Sequence, residues 1–279
     1  MFTHYIITRF NLRRQDWNRA KNNTPVLTDE WLKNRFELFE KFCFPSVQHQ
    51  INKNFTWLVF FDTETPAAWR NKIEKYKSVF PGFVPLFVDG MPQFYAGIQA
   101  EIKKLATPYI ITTRIDNDDC ISRHFVNEIQ SRFQQQPYLA VDFIDGYTLQ
   151  LQPIVKAGKK RQAYNPFISL IEKNDAPETV WHTEHTAWKK EKNILRITDV
   201  RIWLSVIHYE NKVNRFVGYG RIDLTTLFKD FIIDEALRDA LIATQQIISE
   251  FNMAGISNKI RLNWQTLYKD FKKRIGLYK

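Results

Sequence analysis

Along the first 140 positions, short apolar runs alternate with longer stretches of helical periodicity. His4-Tyr-Ile-Ile-Thr8 opens the chain as a β-rich run. Thr28 stands where it can cap a helix, with Asp29 and Glu30 in the first turn at the positive end of the dipole. Trp31, Leu38 and Phe42 then share a face, flanked by Leu32 and Phe39, and Pro45 predicts the frayed end of that helix or the loop after it. Phe55-Thr-Trp-Leu-Val-Phe-Phe61 is short, nearly continuous and β-branched or aromatic. Such a run predicts a strand buried on both faces, as in a parallel sheet. A polar helix follows through Tyr76, a third strand over 83–88, a helix over 94–105 and a fourth strand over 109–113. A helix from about Ser122 to Phe133 and a fifth strand over 138–142 complete the series.

This alternation predicts an α/β fold with a doubly wound, mostly parallel sheet. Ligands in such sheets bind outside the carboxyl ends of the strands. Three polar strand endings are therefore candidate chemistry: Thr8-Arg9, Asp62 and Asp116-Asn-Asp-Asp119. The second half is less regular. Gly158-Lys-Lys-Arg161 suggests a basic turn, Asn174-Asp-Ala-Pro177 a loop, and 195–208 strand-like pairing. Beyond Asp234 the pattern is helical, with a break expected near Gly255.

The acids after the fourth strand carry the sharpest signal. Carboxylates at i and i+2 can share one divalent ion or divide between an ion and a ribose, and hard cations such as Mg²⁺ and Mn²⁺ favour oxygen ligands shared with phosphates. A solvated acidic turn capping the next helix is the plainer alternative. The position at a strand mouth favours function.

Thr112-Thr-Arg-Ile-Asp-Asn-Asp-Asp119 resembles the Asp-x-Asp segment of GT-A-fold glycosyltransferases. More narrowly, the chain resembles a bacterial rhamnosyltransferase family, a label that does not fix the sugar. The matching pieces are Ile7-Thr-Arg-Phe-Asn11, Trp31-Leu-x-x-Arg-Phe-x-Leu-Phe39, Pro45-Ser46, the run from Asn54 to Asp62 and the acidic segment. Trp203-Leu-Ser-Val-Ile-His208 with Asn211 is a weaker match, and the resemblance covers roughly the first 215 residues. It implies a GT-A-like (Rossmann-like) mixed sheet flanked by helices, and a metal-dependent transferase that takes a nucleotide-diphosphate sugar donor. The implied acceptor is a glycan or lipid-linked glycan of the bacterial surface. It further implies that Thr8, Arg9 and Arg114 approach the donor nucleotide, and that Asp62 takes the nucleobase imide N–H. Asp116 would serve the ribose or the metal, and Asp118 the metal, Mn²⁺ or Mg²⁺. His208 corresponds to a late third metal ligand of some relatives, although a buried structural histidine is the commoner use of such a residue.

An inverting transferase needs a base within hydrogen-bond reach of the acceptor hydroxyl. Trp181-His-Thr-Glu-His185 is the densest candidate segment and Glu184 the candidate base, with Asp145 and Asp175 as rivals. His182 and His185 are too few for a zinc site.

Composition adds less. The chain has 279 residues, two cysteines and a net charge of +10. Cys43 and Cys120 are expected to be buried, inert thiols of a reducing compartment. No leader or membrane span is visible, so a cytoplasmic protein is expected. From Gly255 onward there are seven basic residues and one acid, so most of the excess charge lies in the tail. Trp264, Leu267, Tyr268, Phe271, Ile275 and Tyr278 form one apolar face there, with Lys269, Lys272 and Lys273 opposite or at its edges. The expectation is that this face packs on the domain while the basic side meets water, with an anionic membrane surface at the inner face of the cell membrane as a secondary contact. The chain then divides into a catalytic domain over 1–233, with a nucleotide half to about 120 and an acceptor half from about 121, and a basic helical extension over 234–279.

Two other classes were weighed. A nucleotidyltransferase would want a Gly-rich phosphate loop after the first strand, and Asn11-Leu-Arg-Arg-Gln15 has no glycine. A nucleic-acid-binding protein would want basic and aromatic residues interleaved over a broad surface, which the chain lacks outside the tail.

Overall fold

The computed structural model describes residues 1–14, 27–209, 211, 215–249 and 252–278. The expected strands form β1 (Phe2–Arg9), β2 (Thr56–Asp62), β3 (Phe83–Val88), β4 (Tyr109–Arg114) and β6 (Tyr138–Phe143), with a short β5 (Cys120–Ile121) between the last two. Later come β7 (Asp145–Gln150), β8 (Lys156–Arg161), β9 (Ser169–Lys173), β10 (Ile194–Ile197) and β11 (Trp203–Ile207). The main sheet has seven strands in the order β10-β6-β9-β4-β1-β2-β3. Only β9 runs against its neighbours. A second sheet of four strands is ordered β5-β11-β7-β8. The architecture is the expected mixed, mostly parallel α/β sheet flanked by helices.

Strand order decides where a ligand can sit. From β1 the chain builds outward through β2 and β3, then crosses to place β4 on the other side of β1. That reversal opens a crevice at the carboxyl ends of β1 and β4, where Arg9, Arg114 and the acidic loop emerge.

Thr28 caps α1 (Asp29–Leu38) through its hydroxyl, 3.2 Å from the Trp31 N–H. The helix does not fray at Pro45. It widens into a π-turn over Phe39–Cys43 and continues as α2 (Phe44–Gln48), with Pro45 in the first turn of that segment. The Phe44 N–H reaches back to the Phe39 carbonyl, and a proline in a first turn forfeits no ladder bond. Beneath the sheet, Phe39, Phe44, Tyr76 and Phe83 surround Trp57, with ring centroids 5.1–6.4 Å apart. Much of the aromatic content is used here.

The helix expected from Ser122 is only α5 (Phe125–Gln130), and the expected basic turn at 158–161 is strand β8. β8 pairs antiparallel with β7, Tyr147 opposite Lys159. Its glycine is needed because a Cβ on Gly158 would come within 2.7 Å of the Gly218 backbone. The remaining helices are α3 (Ala67–Val79), α4 (Phe94–Ile102), α6 (Leu224–Leu227), α7 (Glu235–Thr244) and α8 (Met253–Arg274). The break between α7 and α8 falls before Gly255, because Asn252 caps α8 at the N–H groups of Ala254 and Gly255.

The tail is docked the other way round from expectation. Leu262 and Thr266 are buried, whereas Trp264, Leu267 and Phe271 are 69%, 62% and 57% exposed. The inward face is polar. Asp270 pairs with Arg196, Lys269 donates to the Ala163 carbonyl at 2.9 Å, and Lys273 donates to the Glu191 carbonyl. The Lys269 and Lys273 ammonium groups lie 5.6 and 5.4 Å from the Tyr164 ring centre, so cation–aromatic contacts stand where the aromatic stripe was expected to pack.

Candidate active site

The acidic loop after β4 alternates in use. Asn117 is buried and donates to the Phe10 carbonyl at 3.0 Å, tying the loop to the end of β1. Asp119 is buried and accepts from the Val206 N–H at 2.9 Å, tying it to β11. Burial, with Asp118 and Asp116 adding to it, pushes the Asp119 carboxyl well above the usual range. Asp118, between these anchors, and Asp116, just ahead of them, are partly exposed to the crevice.

Asp118 meets two residues from elsewhere in the chain. Arg35, on the buried face of α1, donates to its Oδ2 at 2.8 Å, and His208 Nε2 lies 3.0 Å from the same oxygen. Burial favours the neutral carboxyl, but Arg35 and His208 outweigh it and hold Asp118 below the usual range. His208 is set by Asn211, whose Oδ1 accepts the His208 N–H at 2.8 Å and whose Nδ2 lies 2.9 Å from Nε2. That Nε2 can accept from Asn211 or donate to Asp118, but not both at once.

Arg9 and Arg114, from the ends of β1 and β4, flank one indole. The Arg9 guanidinium carbon is 5.5 Å and that of Arg114 4.0 Å from the Trp181 ring centre. Trp181 follows a tight turn whose Thr179 adopts φ 68°, a left-handed conformation unusual for a β-branched residue. Glu172, on β9, holds that turn by accepting the N–H groups of Glu178 and Thr179 at 3.0 and 2.7 Å. Arg114 is buried, 3.4 Å from Asp116 and 3.7 Å from Glu184, and its Nε and Nη1 have no hydrogen-bond partner among the described residues. Glu184 is more than half exposed. His185 beside it has a buried Nδ1 without a partner among the described residues, and burial followed by the Arg114 charge lowers its pKa.

The sequence of one family covers this site and the scaffold that carries it. Residues 3–219 match the family described as "Putative rhamnosyl transferase". The chain belongs to that family. It is accordingly a glycosyltransferase. Among solved structures it is similar to Staphylococcus aureus TarS 1-349, with TM-score 0.42 and 10% identity, over 87% of this chain and 70% of that one. It is also similar to the mannosyltransferase PcManGT from Pyrobaculum calidifontis in complex with GDP-Man and Mn²⁺, with TM-score 0.40 and 8% identity, over 86% and 68%. At those scores neither likeness adds weight to the assignment. No curated protein matches the chain.

Within this family member, two expected nucleotide contacts are otherwise engaged. Thr8 is fully buried and its hydroxyl accepts from the Trp57 indole at 2.9 Å. Asp62 accepts from the Arg13 N–H and Nε and from the Glu64 N–H, each at 2.9 Å. The rival bases lie elsewhere: Asp145 is clamped by Arg161 at 2.8 and 2.9 Å. Asp175 is exposed beside Asn174, which bonds Pro108 at the amino end of β4. His182 bonds the Thr179 carbonyl at 2.8 Å and stands edge-on to Trp188. Cys43 and Cys120 are buried free thiols whose pKa burial raises.

A divalent ion was expected on Asp118, Asp116 and His208. Among the described residues no three His, Cys, Asp or Glu side chains converge as a metal site. Asp116 faces Arg114 rather than joining the other two. The Asp118–His208 pair does fit two adjacent positions of an octahedral ion, since ligands about 2.1 Å from such an ion lie about 3 Å apart.

Sequence reasoning missed Trp181, His185 and the role of Arg35. For Arg35 a signal existed: an arginine on the apolar face of α1, between Trp31 and Phe36, has to answer a buried charge.

Proposed function

We propose that this glycosyltransferase binds a nucleotide-diphosphate sugar at the carboxyl ends of β1 and β4 and transfers the sugar to a glycan or lipid-linked acceptor. One observation carries the reading: a buried, partly unpartnered Arg114 stacked with Arg9 on Trp181, beside the Asp118–His208 pair. Planar guanidinium groups bind diphosphate oxygens through paired hydrogen bonds. Arg114 has N–H groups to give and is held rigidly by the ring beneath it.

Asp118 and His208 would hold Mn²⁺ or Mg²⁺, with water and phosphate oxygens filling its other positions. The ion supplies Lewis-acid stabilisation of the departing diphosphate. Arg35 keeps Asp118 ionised and oriented for that ligation. Asp116, turned to Arg114, orients the guanidinium and lies toward the ribose side. Glu184 takes the acceptor proton, because it is the exposed carboxylate beside the cluster. His185 is the second candidate, favoured by its low pKa and unpartnered Nδ1. Asp62 contacts the nucleobase only if Arg13 yields. The catalytic unit spans 1–233 and the helical extension 234–279.

Nucleotide release across a panel of nucleotide sugars, with and without Mn²⁺, tests the reading. The expected result is turnover with one donor, stimulated by Mn²⁺. Asp118→Asn, which keeps an oxygen for Arg35, should lose both turnover and Mn²⁺-dependent nucleotide binding while staying folded. Near-parental turnover in that variant would remove Asp118 from the metal role.

A further inference from the structure

We propose that α8 is an interfacial helix that seats the protein on an anionic lipid bilayer, its aromatic stripe inserted and its cationic edges against the headgroups. At 3.6 residues per turn, Ile256, Ile260, Trp264, Leu267, Phe271 and Ile275 fall on one side of α8. Each is exposed, from 39% at Ile256 to 69% at Trp264. The opposite side, with Gly255, Leu262 and Thr266, is buried against the domain. The stripe thus runs the length of the helix, faces away from the protein and has no partner among the described residues. A contiguous apolar surface of this extent on a soluble protein marks an interaction site.

Charge decides the occupant. The only acid of α8, Asp270, is turned inward to Arg196. Lys259 and Arg274 border one edge of the stripe and Arg261 and Lys272 the other, and Lys272 lies 4.3 Å over the Tyr268 ring. Beside the Arg261 edge opens a cavity of about 380 Å³ lined by Lys160, Arg161, Arg215, Arg261 and Lys269. Of these, Arg161 is paired with Asp145 and Lys160 lies near Asp119. Arg215 and Arg261, the latter bonded to the Asn258 amide oxygen, have no acid partner among the described residues and can meet an external anion. A second copy laid on the stripe would set cationic edge against cationic edge without an acid to answer, and like charges repel. A bilayer of acidic phospholipids offers apolar depth for the rings and negative charge for both edges. Aromatic residues with one polar end, such as Trp264 and Tyr268, suit the boundary between the two. The sequence expectation has the basic side as a secondary membrane contact and the stripe packed inward; the outward stripe makes the aromatic face the contact instead.

The test is co-sedimentation of the full chain with phosphatidylcholine vesicles, with and without phosphatidylglycerol, at low and high salt. The parent should sediment with the anionic vesicles, lose binding as salt rises, and ignore the neutral ones. Trp264→Glu/Leu267→Glu/Phe271→Glu should abolish binding without shifting the melt, since all three side chains point to water. Lys259→Gln/Arg261→Gln should weaken it roughly thirtyfold, from about 1 kcal/mol per cation near the surface. Equal binding to neutral vesicles, or no loss in the glutamine variant, overturns the proposal. So does a stable dimer of the free chain that the glutamate variant dissolves. Nucleotide release, unchanged in all variants, keeps a failure here separate from a failure of the transfer reading.

Discussion

Arg114 illustrates how one residue combines tasks at this site. It ends β4, lies on Trp181, neighbours Asp116 and Glu184, and still has unpartnered N–H groups. Lysine at that position would keep the charge but lose the planar stack and the paired hydrogen bonds. Arg114→Lys should therefore raise KM for the donor by about 1–3 kcal/mol of lost charged hydrogen bonding, with little change in melting temperature. Alanine should be worse than lysine, and a lysine variant indistinguishable from the parent would show that Arg114 does not touch the diphosphate. The two base candidates separate by pH. If His185 takes the proton, kcat/KM falls on acidification at a pH below the ordinary histidine value, because burial and Arg114 lower its pKa. Glu184→Gln would then leave that limb in place, whereas loss of the limb in Glu184→Gln assigns the base to Glu184. Much of this was readable beforehand, because Arg9, Arg114 and the acids sit at strand ends and strand ends follow from local pattern. What local pattern does not hold is who answers whom. That Asp62 is taken up by Arg13, 49 positions away, or Thr8 by Trp57, also 49 away, depends on the sheet being assembled.

At the scale of elements, β1 to β4 were legible because continuous apolar runs bounded by polar residues have few other uses. β8 was not, because Lys156-Ala-Gly-Lys-Lys-Arg161 has neither alternation nor bulk. Its place is fixed by pairing with β7 and by the close backbone of Gly218, both contributed from afar. Helix α8 was recognised as amphipathic but turned the wrong way, since periodicity gives a stripe and not its direction. A pair of substitutions one and a half turns apart checks the orientation. Leu262→Asp places a charge against the domain and should cost several kcal/mol in a denaturant melt, as buried unpaired charges do. Leu267→Asp places the same charge in water and should stay within about 0.5 kcal/mol of the parent. A reversed order of those two effects would return the stripe to the interior.

For the whole molecule, two buried groups tilt stability with pH in opposite senses. Asp142 is buried, accepts from the Tyr164 N–H and the Asn165 amide at 2.7 Å each, and is pushed up to about 7 by burial. The native state therefore holds its proton more firmly than the unfolded chain, so stability from this group is present below about pH 4 and is lost as pH rises through 7. His4 is buried against Thr113 and lowered to about 3 by burial. Its contribution is present above pH 6.5 and is lost as pH falls toward 3. Between roughly pH 4 and 6.5 the two slopes oppose each other, each at most about 1.4 kcal/mol per pH unit. Asp142→Asn should remove this group's share of the loss as pH rises through 7 and leave the His4 fall toward acid in place, seen in chemical melts across that range. An unchanged pH profile in Asp142→Asn would mean that Asp142 is ionised in the native state.

The alternation in the acidic loop sets a rule for its length. Asn117 and Asp119 face inward as fasteners, while Asp116 and Asp118 face the crevice. The loop closes as a turn, with the Asp119 N–H on the Asp116 carbonyl at 3.3 Å, so each anchor fixes the crevice acid beside it. A residue inserted between 116 and 119 would break that closure and part the fasteners from the acids they position. Such an insertion should abolish transfer and lower the melting temperature, and a variant that melts and turns over as the parent does would show that the spacing is free.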